Sequence, residues 1–236
     1  MQSNLNLKPI NFQFGEYISK GFELLKNNFG NVFVGFLVVS VMSIIPFCSL
    51  LALGNYYKYL KKLSENKPAS VGEIFDFENF SPYFILQLII IAGVFALFIP
   101  FIIFGGFAAI ISDGGNSDAS PLFAFMMFPY FFIIMVLLYY FMIKGFYIPA
   151  LISLKGVKSI KEAWNMSKVM SKGNLLFIFL FVMVINAIAQ IGILACGIGI
   201  LVTLPFMYTA NYFAFDDAIQ QIEYDEITEI GIEEKY

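Results

Sequence analysis

The chain contains no histidine and no arginine, two cysteines and one tryptophan, and only 13% of its 236 residues are charged. Each shortage excludes something. Without histidine, no His-containing zinc or iron site, HExxH protease helix or Ser–His–Asp triad can be built. Two cysteines cannot supply a thiolate metal site. Both Cys48 and Cys196 stand in apolar runs, where free thiols read as small packing residues rather than a disulfide. No GxxxxGK(S/T) phosphate loop occurs. The glycines of "GILACGIG" (192–199) lie inside an apolar run and read as packing or turn positions. The apolar cores hold no Asp or Glu, so a carboxylate proton relay lacks its parts. No cofactor, no metal and no nucleic-acid partner is expected, and the chain is not expected to be an enzyme.

What the chain does have is apolar length. It is 59% hydrophobic and 18% aromatic, with 29 phenylalanines, where soluble domains carry about 25% charged residues. The runs 31–54, 82–112, 121–154 and 174–215 are almost free of charge. Each reaches the ~20 residues that cross a bilayer core as a helix. Segments such as "FILQLIIIAGVFALFIPFIIF" lack the alternation of a membrane barrel. The fold class is therefore all-α, a polytopic helical membrane bundle. No cleavable signal peptide is read in the polar first 30 residues, so the first membrane segment would direct insertion. All 14 basic residues are lysines, which with the many Phe, Ile and Asn points to an AT-rich bacterial gene.

The lysines set the topology. Segments 1–30, 55–81 and 155–173 are lysine-bearing, whereas the link 112–121 ("SDGGNSDASP") carries Asp113 and Asp118 and no lysine. The positive-inside rule places the first three in the cytoplasm and the link outside. Runs 82–112 and 121–154 then cross outward and back. The run from Lys26 to Lys62 must enter and return on one side. Two arms of about 14 residues reach roughly 21 Å each, with Pro46 near the bend. This reads as a short or re-entrant hairpin; one ordinary span against the charge rule is the alternative. Run 174–215 reads as two helices about its glycine-rich middle. About six membrane segments result (about 31–45, 47–60, 82–112, 121–154, 174–191 and 197–215), two of them short or re-entrant. An acidic tail, 216–236, returns to the cytoplasm as a mobile or docking peptide, so both termini are expected there.

The lysine clusters are also amphipathic. Phe14, Ile18, Phe22, Leu25 and Phe29 recur at helical spacing. Tyr56, Tyr59, Leu60 and Leu63 oppose Lys58, Lys61 and Lys62; Val157, Ile160, Trp164 and Met170 oppose Lys158, Lys161, Lys168 and Lys172. Interfacial helices are expected at about 12–29, 55–65 and 157–171. They either anchor the bundle or form a surface for phospholipid or for other integral membrane proteins. Lys144, Trp164, Lys168, Lys58 and Lys61 are the residues such a surface would use. Lys144 is the single charge inside a span, and it either snorkels or binds a headgroup or carboxylate. Asn186 and Gln190 lie four apart on one helical face, with Asn211 in the next segment. They read as intramembrane polar contacts or as a polar substrate site. Ala92/Ala96, Gly105/Ala109 and Ala195/Gly199 have the spacing of close helix contacts. A faint repeat pairs "FGN" and "NYYKY" (29–31, 55–59) with "KGN" and "NYFAF" (172–174, 211–215).

At "IKGFYIPALISLKGVKSIKEAWNMSKVMSKGNLLFIFLF" the chain resembles a group of bacterial integral membrane proteins of unknown function. That group is related to the membrane domain fused to some glycerophosphodiester phosphodiesterases. Lys144, Pro149, Ala163, Trp164, Ser167, Lys168 and Gly173 fit its pattern, as do "GNYYKYL…KPASVGEIFD" (54–76) and "GIGILVTLPFMYTANYF" (197–213). An arginine usually takes the place of Lys144. The resemblance covers most of 14–215 and implies six helices and no established activity. The expectation is a non-enzymatic bacterial inner-membrane protein acting as an accessory or scaffold subunit, with a lipid or small-molecule transporter as the alternative.

Overall fold

A computed structural model describes residues 8–113, 119–194 and 199–233. Among these residues the regular elements are all helical: α1 (Phe14–Asn27), α2 (Phe29–Met42), α3 (Ser49–Ser64), α4 (Phe80–Asp113), α5 (Ala119–Lys144), α6 (Ile148–Ser153), α7 (Ile160–Met170), α8 (Leu175–Leu194) and α9 (Ile200–Glu233), with a 3-10 turn at Val71–Phe75. Asp118, Cys196, Ala195 and the centre of the glycine-rich connection lie outside the described residues. The helices divide into two compact units, one of residues 1–84 with 143–236 and one of residues 85–142.

Three stretches are long and apolar enough to cross a membrane: Phe80–Ile103, Phe128–Ser153 and Leu175–Gly192. The pair α1 and α2 reaches span length only together, and it is bent by 99°. The chain is a polytopic helical membrane protein with three or four such spans. Two of the remaining expected segments are shorter than a span. With 14 and 16 residues, α2 and α3 are about 21 and 24 Å long, short of the ~30 Å hydrocarbon core. The described part of segment 197–215 forms the front of α9, which begins at Ile200 and is not among these spans.

In the first unit, α2 and α3 form an antiparallel hairpin. The Tyr56 hydroxyl donates to the Val32 carbonyl at 2.7 Å and that of Tyr59 to Asn31 at 3.2 Å. Gly35 makes room for both rings: a Cβ there would lie 2.8 and 2.9 Å from them. Between the arms, Pro46 ends the helical ladder and Phe47 takes a positive φ of 63°. The turn meets its own backbone needs. The amides of Ser43, Ile44, Ile45 and Cys48 donate to the carbonyls of Val39, Val41, Met42 and Ile45. A turn so satisfied tolerates an apolar surrounding that an open loop would not.

The amphipathic α1 packs against α9, and its buried face is Tyr17, Gly21, Leu24 and Leu25; of the expected stripe Leu25 is buried, Phe14 and Ile18 are half-buried, and Phe22 and Phe29 are exposed. Only glycine fits at position 21, because a Cβ would come within 2.8 Å of the Ala210 backbone. The Thr209 hydroxyl donates to the Gly21 carbonyl at 2.9 Å. The acidic segment after residue 215 is no separate tail. α9 runs unbroken to Glu233, and Ala218, Ile219 and Ile222 are buried. Their spacing of one and three to four residues gives this stretch a core-facing stripe, which its many acids mask in composition. α8 lies against the front of α9, where the Thr203 hydroxyl donates to the Ala189 carbonyl at 2.9 Å. Gly192 abuts the Gly199–Ile200 backbone, 2.6 Å from a would-be Cβ.

Close approaches thus fall at Gly21, Gly35, Gly54 and Gly192 among the described residues. Ala92 and Ala96 are exposed; Ala109 and Ala195, needed for the other two small-residue pairs, fall outside the described side chains. A small-residue spacing permits contact but does not choose the face that receives it. The element order of the faint repeat does recur: α1–α2–α3 and α7–α8–α9 are each an amphipathic helix followed by two further helices, with α2 of 14 residues and α8 of 20.

In the second unit, α4 and α5 interlock through Phe131, which meets Phe98 and Phe101 edge-on at 6.4 and 4.8 Å. The Tyr130 hydroxyl donates to the Leu97 carbonyl. That carbonyl lies in the turn preceding Pro100, where the proline withholds an amide and crowds its neighbours. Most described side chains of this unit are exposed and apolar, the surface expected of helices facing lipid.

Candidate functional site

A polar layer runs through the first unit where α3, α9, the 3-10 turn and the α6–α7 region meet. α3 brings three lysines to it, and each meets an acid. Lys58 approaches Glu78 at 3.5 Å and Asp76 at 3.9 Å, Lys61 approaches Asp216 at 3.5 Å, and Lys62 holds both carboxylate oxygens of Glu73 at 2.8 Å. Lys158 joins them from the α6–α7 linker, 3.3 Å from Glu78 and 2.6 Å from the Asn79 amide oxygen. The Lys158 hydrogen bond and the charges of Lys58 and Lys158 hold the Glu78 carboxyl below the ordinary glutamate range. Lys58 and Lys61 were expected to serve phospholipid or a partner. Their ammonium groups pair with Asp76, Glu78 and Asp216, which are distant in sequence and fold beside them, and both side chains stay partly exposed.

Asn55 organises the same layer. It is 1% exposed, and its amide donates to the carbonyls of Ile74 at 3.0 Å and Asp76 at 2.6 Å, closing the 3-10 turn onto α3. Beside it, Gly54 admits the Tyr83 hydroxyl, which bonds the Ser153 hydroxyl at 2.5 Å and the Pro149 carbonyl at 3.2 Å. On α9, Asp216 and Asp217 each receive a glutamine four residues on: Gln220 at 2.7 Å and Gln221 at 2.8 Å. The Tyr17 hydroxyl donates to the same Asp217 oxygen at 2.5 Å. Gln221 also exchanges two hydrogen bonds with the Asn11 backbone, at 2.8 and 3.1 Å. The Ile10 amide donates to the Met170 carbonyl at 3.2 Å. The segment before α1 therefore straps α7 to α9.

The motif that carries the family resemblance resolves into structural roles. Ser167 is fully buried; its hydroxyl donates to the Lys144 carbonyl at 2.7 Å and accepts from the Tyr147 amide at 3.2 Å. Ala163 is buried beside it on α7. Gly173 takes a φ of 84°, the left-handed geometry that lets α7 turn into α8. Lys144 ends α5 next to this joint and is half-buried, as is Trp164; Lys168 is exposed on α7. The buried face of α7 is Ala163, Met166, Ser167 and Met170; of the expected stripe Met170 is buried, while Val157, Ile160 and Trp164 are half-buried.

Asn186 and Gln190 are both exposed on α8, and the Asn186 amide donates to its own helix at the Val182 carbonyl, 2.7 Å away. Asn211 is half-buried, and its side-chain oxygen finds no partner among the described residues. The three amides are not joined. Sequence reading missed Tyr17, Asn11, Asp217 and Gln221. The doubled i,i+4 pairing in "DDAIQQ" was the available signal.

A family model described as "Protein of unknown function (DUF4013)" matches residues 36–202, from the α2–α3 hairpin to the start of α9. The chain belongs to that family. The match takes in Gly54 and Asn55, where α3 receives Tyr83 and the 3-10 turn, and Lys144, Ser167 and Gly173, at the joints of α7 with the end of α5 and with α8. No curated protein and no solved structure is significantly similar to the chain.

Proposed function

We propose that this membrane protein is a non-enzymatic accessory or scaffold subunit of a membrane protein complex in a bacterial inner membrane, with both termini cytoplasmic. One observation carries the reading. α1 is set at 99° to α2 and locked to α9, yet Phe22 on its outer face is 59% exposed, and Phe29, which opens α2 just beyond the bend, is 45% exposed. A helix held this firmly while presenting aromatic side chains suits a surface that lies on lipid and receives a partner. Membrane phospholipid and other integral membrane proteins are the partners this surface fits. The transporter alternative leans on Asn186 and Gln190 lining a route; their uncovered position favours the scaffold. The likeness around Lys144 supports kinship with the phosphodiesterase-associated membrane domain.

The test is purification of the tagged chain in mild detergent, with the mass of each co-eluting species measured. A partner in fixed proportion, lost from Phe22→Ala/Phe29→Ala while the variant elutes undisturbed, is the expected result. A chain carrying only lipid, together with solute flux after reconstitution, would overturn the reading.

A further inference from the structure

α8 has two faces of different character. Ile178, Phe181, Ile185, Ala189 and Gly192 are buried, seated against the rest of the first unit. The other face exposes Leu176, Met183, Asn186 and Gln190. These four fall at spacings of seven, three and four residues, the a/d register of a coiled-coil seam. Within a stretch apolar enough to cross a membrane, two carboxamides at consecutive seam positions are exposed. Asn186 uses its amide on its own helix, and Gln190 has no hydrogen-bond partner among the described residues.

A carboxamide left in hydrocarbon loses the hydrogen bonds that water supplied. Acyl chains offer no replacement, whereas another carboxamide offers both a donor and an acceptor. That group is complementary to itself, as a twofold contact between identical surfaces requires. Polar residues at seam positions also select register and partner number. We propose that α8 is a self-association helix: two copies of this chain pair in parallel along Leu176, Met183, Asn186 and Gln190, the amides bonding across the twofold axis. The proposal goes beyond the scaffold reading and stands independently of it, because it uses α8 and not α1.

Single cysteines in a Cys48→Ala/Cys196→Ala background, oxidised with copper phenanthroline in native membranes, test it. Met183→Cys on the seam is expected to give a disulfide-linked dimer, and Ile191→Cys, exposed but off the seam, is not. In detergent dilution, Asn186→Leu/Gln190→Leu is expected to weaken self-association by up to about tenfold, and Asn186→Gln to retain it. Both positions are exposed, so the variants keep the fold. Equal cross-linking at the two positions, a cross-link to a different protein, or a leucine variant that dimerises as the parent does would each overturn the proposal.

Discussion

Gly54 shows how much one residue carries in this protein. A Cβ there would run into the Tyr83 and Ser153 hydroxyls, which are bonded to each other and leave no slack. Gly54→Ala is expected to lower stability by about 1–3 kcal/mol through overpacking, read as a drop in thermal midpoint in detergent. Tyr83→Phe in the same background removes the crowding oxygen and should restore part of the loss. If Gly54→Ala melts with the parent, the packing argument fails. Glu78 makes a second case. Its folded pKa lies below the ordinary value, so it stabilises the fold above its unfolded pKa, and that contribution disappears as pH falls through the folded one. Stability measured across the acid range is expected to show this loss below the usual carboxylate window. Glu78→Gln should flatten that part of the profile and leave the neutral-to-alkaline part parallel to the parent.

At the scale of elements, the protein is organised by buried hydroxyls that tie one helix to another's backbone. Tyr56 and Tyr59 stitch α3 to α2, Thr209 stitches α9 to α1, and Ser167 joins α7 to the end of α5. Tyr17 is different because its acceptor is a carboxylate, and such bonds contribute about 1.5–3 kcal/mol against about 0.5–1.5 for neutral ones. Tyr17 is only 2% exposed, so Tyr17→Phe changes little except that bond. Hydrogen exchange is expected to quicken across α1, residues 14–27, while α7 keeps its protection. Equal loosening of both helices would mean that the strap through Asn11 and Ile10, and not Asp217, holds α1 in place.

At the scale of the whole molecule, the α2–α3 hairpin carries the sharpest topological expectation. Its turn presents Ile44, 81% exposed, with Ile45 and Phe47, and both arms are shorter than a bilayer core. With both open ends of the hairpin at one membrane surface, as proposed, the turn is expected to end within the hydrocarbon. Ile44→Cys should resist membrane-impermeant thiol reagents applied from either side, while Lys26→Cys and Glu65→Cys, at the open ends of the hairpin, label from the same side. Labelling of the two ends from opposite sides would restore the single-span reading.

How far the sequence reached follows from the kind of interaction involved. Helicity, membrane residence and the reversal about Pro46 were legible, because apolar length and lysine placement act through the bilayer, which every residue meets alike. The fate of Lys58 and Lys61 was not, since Glu78 and Asp216 come to them only by folding; nor was the packing of Ile219 and Ile222, whose stripe is hidden among acids. The motif around Ser167 was visible as a pattern, but its role as a joint between α7 and the Lys144–Tyr147 turn needed coordinates. By itself, then, the sequence determined the solvent this chain folds in and the helices it folds into, because both follow from local composition and period. Which lysines are spent on ion pairs, which glycines are touched and which amides are left uncovered were decided by the tertiary structure alone, because each depends on what a distant part of the chain places within a few ångströms.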